Sequence, residues 1–437
     1  MLESLGDRGC VAAERRLALK VDGRVRRTAL HSDSMICGGC GWTVPLGARP
    51  FRCANVGRGD VDHVLVRRVA VRPDPFFDDE PDPFVRYRRL TYAWHDAIAR
   101  GVSDGELVDV VRRLEERIEA VDGRSFAVTP LRSLQSLWIK DETSNVAGSH
   151  KSRHLMGVLI WLEVMSRFDR DLADAPLAIA SCGNAAFAAA VLARAAGRAL
   201  EVFVPAEASE EVVDRIQALG GRVTRCARVE GVAGDPAVIG FRAAVAAGAL
   251  PFTCQGSENG LVIEGGSTLG WELVSQLIER NATIDRLFIQ TGGGALASAV
   301  IAAFDDAVAA GVLPHLPRIH AVQTTACSPL ARAWERVQQR GIDYAITHRS
   351  EFMWPWETVP VSVAEGILDD ETYDWVAVAR GMLASGGHPV LVSEEQLLAA
   401  NRLAGPSVSI TGSAGLAGAL AFPSDESTAV LFTGSNR

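Results

Sequence analysis

The sequence predicts an α/β fold from about residue 125 onward: open, mostly parallel sheets covered by helices, behind a small ribbon-like N-terminal extension. Three observations predict it. Short apolar runs (LWIK, LAIA, VFV, RLFIQ, IHAVQ, AVLFTG) have the length of buried strands. Alanine-rich stretches such as AAFAAAVLARAAG and FRAAVAAGA lie between them and read as helices. Glycine-rich turns follow several of the runs. Strand–helix alternation with short apolar strands is the pattern of a parallel sheet covered on its faces.

The bulk properties agree. A chain of 437 residues, 48% hydrophobic and 22% charged, can bury a large core. Its net charge of −9 without a clustered basic stripe argues against nucleic-acid binding. No charged segment leads into a long apolar run at the N-terminus, and no stretch reaches the roughly 18 apolar residues of a membrane span. A cytoplasmic protein with no membrane partner is expected. The eight cysteines are too scattered to read as a disulfide framework.

Residues 1–85 form the extension. Strand-like runs such as HVLVRRVAV flank CGGCGWTVPLGARPFRC, in which Cys37, Cys40 and Cys53 resemble half of a zinc ribbon. A structural zinc needs four ligands, and after Cys53 the sequence offers only His63. The expectation is a degenerate, metal-free ribbon, and no metal site is assigned. The segment VRPDPFFDDEPDPF reads as an extended linker with a solvated acidic run. LTYAWHDAIARGVSDGELVDVVRRLEERIEAV then reads as two helical pieces broken near Gly101 to Gly105. FMWPWE, residues 352–357, suits either a pocket wall or a surface cluster.

The stretch KDETSNVAGSHKSRHLMGV holds two of the chain's three lysines, Lys140 and Lys151, among 44 basic residues. Arginine stays protonated, whereas a desolvated lysine can lose its proton and form a Schiff base with a carbonyl. A buried lysine merely tolerated there is the alternative. SCGNAAF sets Ser181, Cys182, Gly183 and Asn184 at a helix start, where backbone amides suit a carboxylate; an ordinary N-cap would look the same. TGGGALASAV sets Gly292, Gly293, Gly294, Ala295 and Leu296 between a strand and a helix. That turn suits phosphate, or is simply tight. It lacks the dinucleotide fingerprint G-x-G-x-x-G and any following GK[ST].

A reactive lysine, a phosphate cradle and a carboxylate cradle are what pyridoxal phosphate and an amino acid require together. From about residue 125 the chain resembles the fold-type II pyridoxal-phosphate enzymes, the tryptophan synthase β-like superfamily. The motifs occur in that family's order: TPL, Lys140-x-Glu142, Gly148-Ser149-His150-Lys151, SCGN, FVPAEAS with GGRV, EGGSTLGWEL, GGGAL, SVAEGI, TGSAGLAGALA and a closing TGS.

The resemblance implies two open α/β lobes within a catalytic domain of residues 86–437, the smaller lobe at about 165–255. It implies pyridoxal 5′-phosphate bound to Lys151, with Lys140 structural. Asn184 would lie beside the cofactor's phenolic oxygen, residues 292–296 at its phosphate and Thr433 at its pyridine nitrogen. Ser149, Ser181, Cys182, Gly183 and Gly366 would face the substrate, and a homodimer is expected.

A hydroxyl at the ring nitrogen makes a weaker electron sink than a carboxylate would, which disfavours transamination and suits β-elimination. The expected activity is elimination on serine, threonine or a related amino acid through a Lys151 Schiff base and an aminoacrylate. Lys151 serves as nucleophile and then base. A replacement synthase of threonine synthase or cysteine synthase type is the alternative, for which Arg153 and His154 are candidate donors to a second anion. A catalytically silent cofactor or amino-acid sensor is a third reading.

Three departures from the pattern stand out. His150 precedes the lysine, as in tryptophan synthase-like chains. No acidic residue stands just ahead of the SCGN loop, which argues against indole chemistry. Cys182 replaces a serine or threonine and reads either as a substrate-tuning residue or as a small buried one. The N-terminal ribbon resembles the threonine synthase branch, GGGAL the dehydratase branch.

Overall fold

Among its described residues (34–45, 47–68, 76–232 and 234–436), the computed structural model builds three sheets. The strands are β1 (Ser34–Cys37), β2 (Leu65–Arg68), β3 (Leu131–Leu134), β4 (Leu137–Asp141), β5 (Leu177–Ala180), β6 (Leu200–Pro205), β7 (Arg222–Cys226), β8 (Leu250–Pro251), β9 (Arg286–Gln290), β10 (Arg318–Thr324), β11 (Val390–Val392) and β12 (Thr428–Phe432). The six-stranded sheet runs β11-β10-β9-β12-β4-β3 and is parallel except for the β3–β4 hairpin. The four-stranded sheet runs β7-β6-β5-β8 and is parallel throughout. This is the α/β class that the apolar runs predict, and each falls in a strand, save that the last two residues of AVLFTG lie beyond β12.

Position in the sheet explains composition. β9 and β12 lie centrally, and every residue of RLFIQ and TAVLF is buried. Such strands cannot alternate, because helices cover both faces. The predicted helical pair is observed as Tyr92–Ala99 and Asp104–Asp122. The second opens with a Ser103–Glu106 capping box and buries Leu107, Val110, Val111, Leu114 and Ile118 at helical spacing.

Strand order also sets the site. β9, β12 and β4 are parallel neighbours, so the glycine turn after Gln290, Thr433 after Phe432 and the lysine loop after Asp141 emerge at one sheet edge. Ligands of open α/β sheets bind at that carboxyl edge. The helix Lys151–Met165 is buried nearly all round and crosses Val262–Glu279 at Gly157 and Gly265. A Cβ on Gly157 would lie 2.7 Å from the Gly265 Cα.

One expectation about connecting segments is corrected, and FMWPWE divides between core and surface. The acidic run is not a solvated linker: Phe76 and Phe84 are buried, Asp78 pairs with Arg88 and Arg89, and Asp82 caps the short helix Pro83–Arg86. Its first residues, 71–75, lie outside the described set, as does part of HVLVRRVAV. In FMWPWE, Phe352 and Met353 are core, while Arg332 lies over the Trp354 ring at 3.7 Å. The antiparallel β1–β2 ribbon shares its buried cluster with Leu155 and Trp161 of the main body through Met35, Cys37 and Leu65.

The chain divides into compact units of residues 1–32 and 33–437, and everything described lies in the second. The seven cysteines among the described residues are free, as their scatter suggests; Cys10 lies outside. No helix among the described residues is long and apolar enough to cross a membrane.

Candidate active site

The lysine loop is stitched to the C-terminal TGS segment. The His150 amide donates to the Thr433 carbonyl at 3.0 Å, and the Ser435 amide donates to the Gly148 carbonyl at 2.9 Å. The His150 ring lies 3.0 Å from the same Thr433 carbonyl through Nδ1, so that nitrogen carries the hydrogen. Burial and then the Lys151 charge push its pKa well below the ordinary range, so the ring stays neutral. Lys151 itself opens the helix Lys151–Met165, half-buried, and no hydrogen bond or ion pair engages its amine among the described residues. The Ser149 hydroxyl beside it is buried without a partner among the described residues.

Lys140, by contrast, is fully committed. It donates to Glu272 at 2.5 Å, the Thr129 carbonyl at 2.6 Å and Gln276 at 3.0 Å. Arg153 bridges Glu142 at 2.7 Å and Glu272 at 2.6 Å. Two cations and two carboxylates thus balance with no exposure to solvent. Burial opposes the Glu142 charge, but Arg153 and then Lys140 hold its pKa down at about 2. Arg153 and His154 therefore do not form the second anion cup considered from sequence. Arg153 is consumed by the network, and His154 is buried with Nδ1 on the Val262 carbonyl at 2.8 Å.

Thr433 is buried at the end of β12, where Gln290, the last residue of β9, meets it at 2.9 Å. The Gln290 Nε2 also donates to the carbonyls of Gly412 at 2.8 Å and Leu431 at 3.2 Å. Carbonyls only accept, so this end of the amide must be the NH₂, and it donates to Thr433 Oγ1. The Thr433 hydroxyl keeps its own hydrogen to donate elsewhere.

The glycine turn opens the helix Ala295–Ala309, with Gly294 at φ +95° as its N-cap. The segment 367–374 covers it. A Cβ on Gly292 would lie 2.2 Å from the Asp369 carboxylate, and one on Gly294 would lie 2.9 Å from Thr372. The Gly293 amide donates to Asp369 at 2.9 Å, so the chain's own carboxyl group sits on the glycine turn. Burial raises the Asp369 pKa, with the Lys151 charge and the Gly293 amide opposing.

The remaining predicted residues gather nearby. Asn184 begins the helix Asn184–Ala196, close enough that a Cβ on Gly434 would lie 3.2 Å from its amide nitrogen. Ser181 accepts from the Gly183 amide at 3.3 Å. Gly366 donates to Thr411 Oγ1 at 3.1 Å and is exposed. Cys182 is exposed, which corrects its reading as a small buried residue.

Sequence reasoning missed Gln290 and Asp369. Both sit directly beside motifs it used: Gln290 before TGGG, Asp369 just after SVAEGI.

A family model described as pyridoxal-phosphate dependent enzyme matches residues 124–434. No curated protein sequence matches the chain. Among solved structures, the chain resembles maize serine racemase at 20% identity and TM-score 0.55, covering 75% of this chain and 93% of that one. A threonine deaminase from Solanum lycopersicum, in its processed form, matches at 20% identity and TM-score 0.56, covering 77% and 91%. Diaminopropionate ammonia lyase from Escherichia coli matches at 16% identity and TM-score 0.57, covering 83% and 92%.

Proposed function

The chain belongs to the pyridoxal-phosphate dependent enzyme family, and from that premise we propose that it is a lyase acting on a β-substituted amino acid, giving a 2-oxo acid and ammonia. The residues present fit the cofactor. Among the described residues the Lys151 amine is unengaged and the neighbouring Ser149 hydroxyl is buried without a partner, and the glycine turn donates to a carboxyl oxygen.

Lys151 would hold the cofactor's aldehyde carbon, the amides of residues 292–296 its phosphate, and Asn184 its phenolic oxygen. Bound pyridoxal phosphate supplies the electron-accepting ring that acidifies the substrate α-hydrogen.

The observation that carries the elimination reading is the Gln290–Thr433 hydrogen bond at 2.9 Å. A hydroxyl held as an acceptor by Gln290 presents its own hydrogen, and such a neutral donor would leave a pyridine nitrogen facing it unprotonated. The ring would then be a weaker electron sink, so electron density released at the α-carbon would leave with a β-substituent rather than be stored in the ring. The Lys151 amine accepts the α-hydrogen as a proton, the C–H electron pair forms the Cα–Cβ double bond, and the β-substituent leaves with its bonding pair. For serine or threonine, the water lost at the β-carbon is regained when hydrolysis releases ammonia. Ser181 and the amides at the start of the helix Asn184–Ala196 would hold the substrate carboxylate.

The test is an assay of the holoenzyme with serine, threonine, O-acetylserine, diaminopropionate and phosphohomoserine, each alone, with pyruvate and 2-oxobutyrate measured. Oxo acid released without an added nucleophile is the expected result. Turnover that requires an added thiol or other nucleophile would replace this reading with the synthase one.

A further inference from the structure

The ribbon's missing fourth cysteine is supplied in space by His63. Cys37 ends β1, Cys40 lies beyond the two glycines that follow it, Cys53 lies in the next loop, and His63 stands just before β2. Their four ligand atoms all lie within 4.8 Å of one another. The Cys37 sulfur is 3.5 Å from His63 Nδ1, and the sulfurs of Cys40 and Cys53 are 3.6 Å apart. A disulfide would need about 2 Å. A tetrahedral zinc with bonds of about 2.3 Å to sulfur and about 2.0 Å to nitrogen sets S···S near 3.8 Å and S···N near 3.5 Å.

The surroundings are built for thiolates. The Cys40 amide points at the Cys37 sulfur at 3.5 Å, and the Asn55 amide points at the Cys53 sulfur at 3.4 Å. The Asn55 side chain meets the Cys40 sulfur at 3.4 Å. His63 Nε2 faces the Arg58 carbonyl at 3.3 Å, the outer hydrogen bond that orients a ligating imidazole. Gly39 has no room for a side chain: a Cβ there would lie 2.1 Å from the Asp62 carbonyl oxygen.

We infer that Cys37, Cys40, Cys53 and His63 bind one zinc ion as a structural site. Three thiolates and an imidazole are a soft tetrahedral set that selects zinc over oxygen-preferring cations. All four positions come from the protein, so none is open for catalysis.

The site also braces the catalytic body. Asp62, next to His63, accepts from the Trp375 indole at 3.2 Å, pairs with Arg349 at 3.3 Å and donates its amide to the Ile346 carbonyl at 2.9 Å. Trp375 opens the helix Trp375–Ser385, and the Asp374 amide before it donates to the Gly293 carbonyl at 2.9 Å. A chain of contacts therefore runs from the metal knuckle to the glycine turn.

The test is zinc content by mass spectrometry of the purified, untagged full chain, dialysed free of loose metal. About one zinc per chain is expected, retained in Cys182→Ser and lost in Cys53→Ser and His63→Ala. If those variants do not fold, cobalt-exchanged wild-type protein decides: thiolate-to-cobalt charge-transfer absorbance of tetrahedral form is expected. Wild-type protein without zinc after growth in zinc-supplemented medium, or cobalt without thiolate bands, would overturn the site. Neither readout depends on the lyase activity.

Discussion

Gln290 and Thr433, 143 residues apart in sequence, meet at 2.9 Å where two central parallel strands end side by side. The Gln290 amide has fixed the direction of that bond through the carbonyls of Gly412 and Leu431. Gln290→Leu removes the donor and leaves Thr433 to rotate freely. The expected cost is about 1–3 kcal/mol in stability from unsatisfied buried carbonyls, together with weaker cofactor retention. On the proposed reading Thr433→Asp would set a carboxylate at the ring nitrogen instead, and side reactions such as transamination should rise relative to oxo-acid release. Unfolding midpoints and product ratios check the two variants, and an unchanged product ratio in Thr433→Asp would count against the proposed role of the hydroxyl.

The Lys140–Glu272–Arg153–Glu142 cluster should report itself in acid. Glu142 has a folded pKa of about 2, below an unfolded value of about 4.3. Its contribution is present in full above about pH 4.3 and lost as pH falls toward about 2, amounting to about 3 kcal/mol. Glu142→Gln leaves Arg153 partly unpaired and is expected to destabilise by about 3–5 kcal/mol at neutral pH. The penalty should shrink in acid, where wild type loses the same charge. Denaturant titrations at two pH values measure this, and a pH-independent penalty would contradict it.

Asp369 accepts from the Gly293 amide, which the proposed function would give to the cofactor's phosphate. Its raised pKa means the carboxylate ionises at higher pH than usual, and an ionised carboxylate repels phosphate. Asp369→Asn should therefore bind pyridoxal phosphate several-fold more tightly than wild type, with the advantage growing as pH rises through the Asp369 ionisation. Equilibrium titration of cofactor-free protein, followed by tryptophan fluorescence, gives the affinities. A variant that binds more weakly at all pH values would show that Asp369 supports the cradle rather than blocks it.

What was legible in the sequence is what lies along the chain. The apolar runs, the glycine turns and the helix break near Gly101 are local signals, and each appears where the residues set it. The motifs converge because they follow strands that end at one sheet edge, which parallel topology brings about.

Partners that meet only in the fold were not legible. Asp369 comes to Gly293 across 76 residues, and Lys140 reaches Glu272 across 132. No spacing rule marks either pair. His63 was visible as a residue but not as a fourth corner, since only the β1–β2 pairing carries it back to Cys37. The acidic linker misled because its charges are answered by arginines that follow it in the chain, which composition alone does not reveal.

The most direct test of the central claim is borohydride reduction of the holoenzyme followed by peptide mass spectrometry. Hydride from borohydride reduces the lysine–cofactor double bond and fixes the cofactor in place. The account predicts a phosphopyridoxyl group on Lys151, abolished in Lys151→Ala. The group on Lys140 or Lys20, or no fixed cofactor in a protein that binds pyridoxal phosphate, would contradict it.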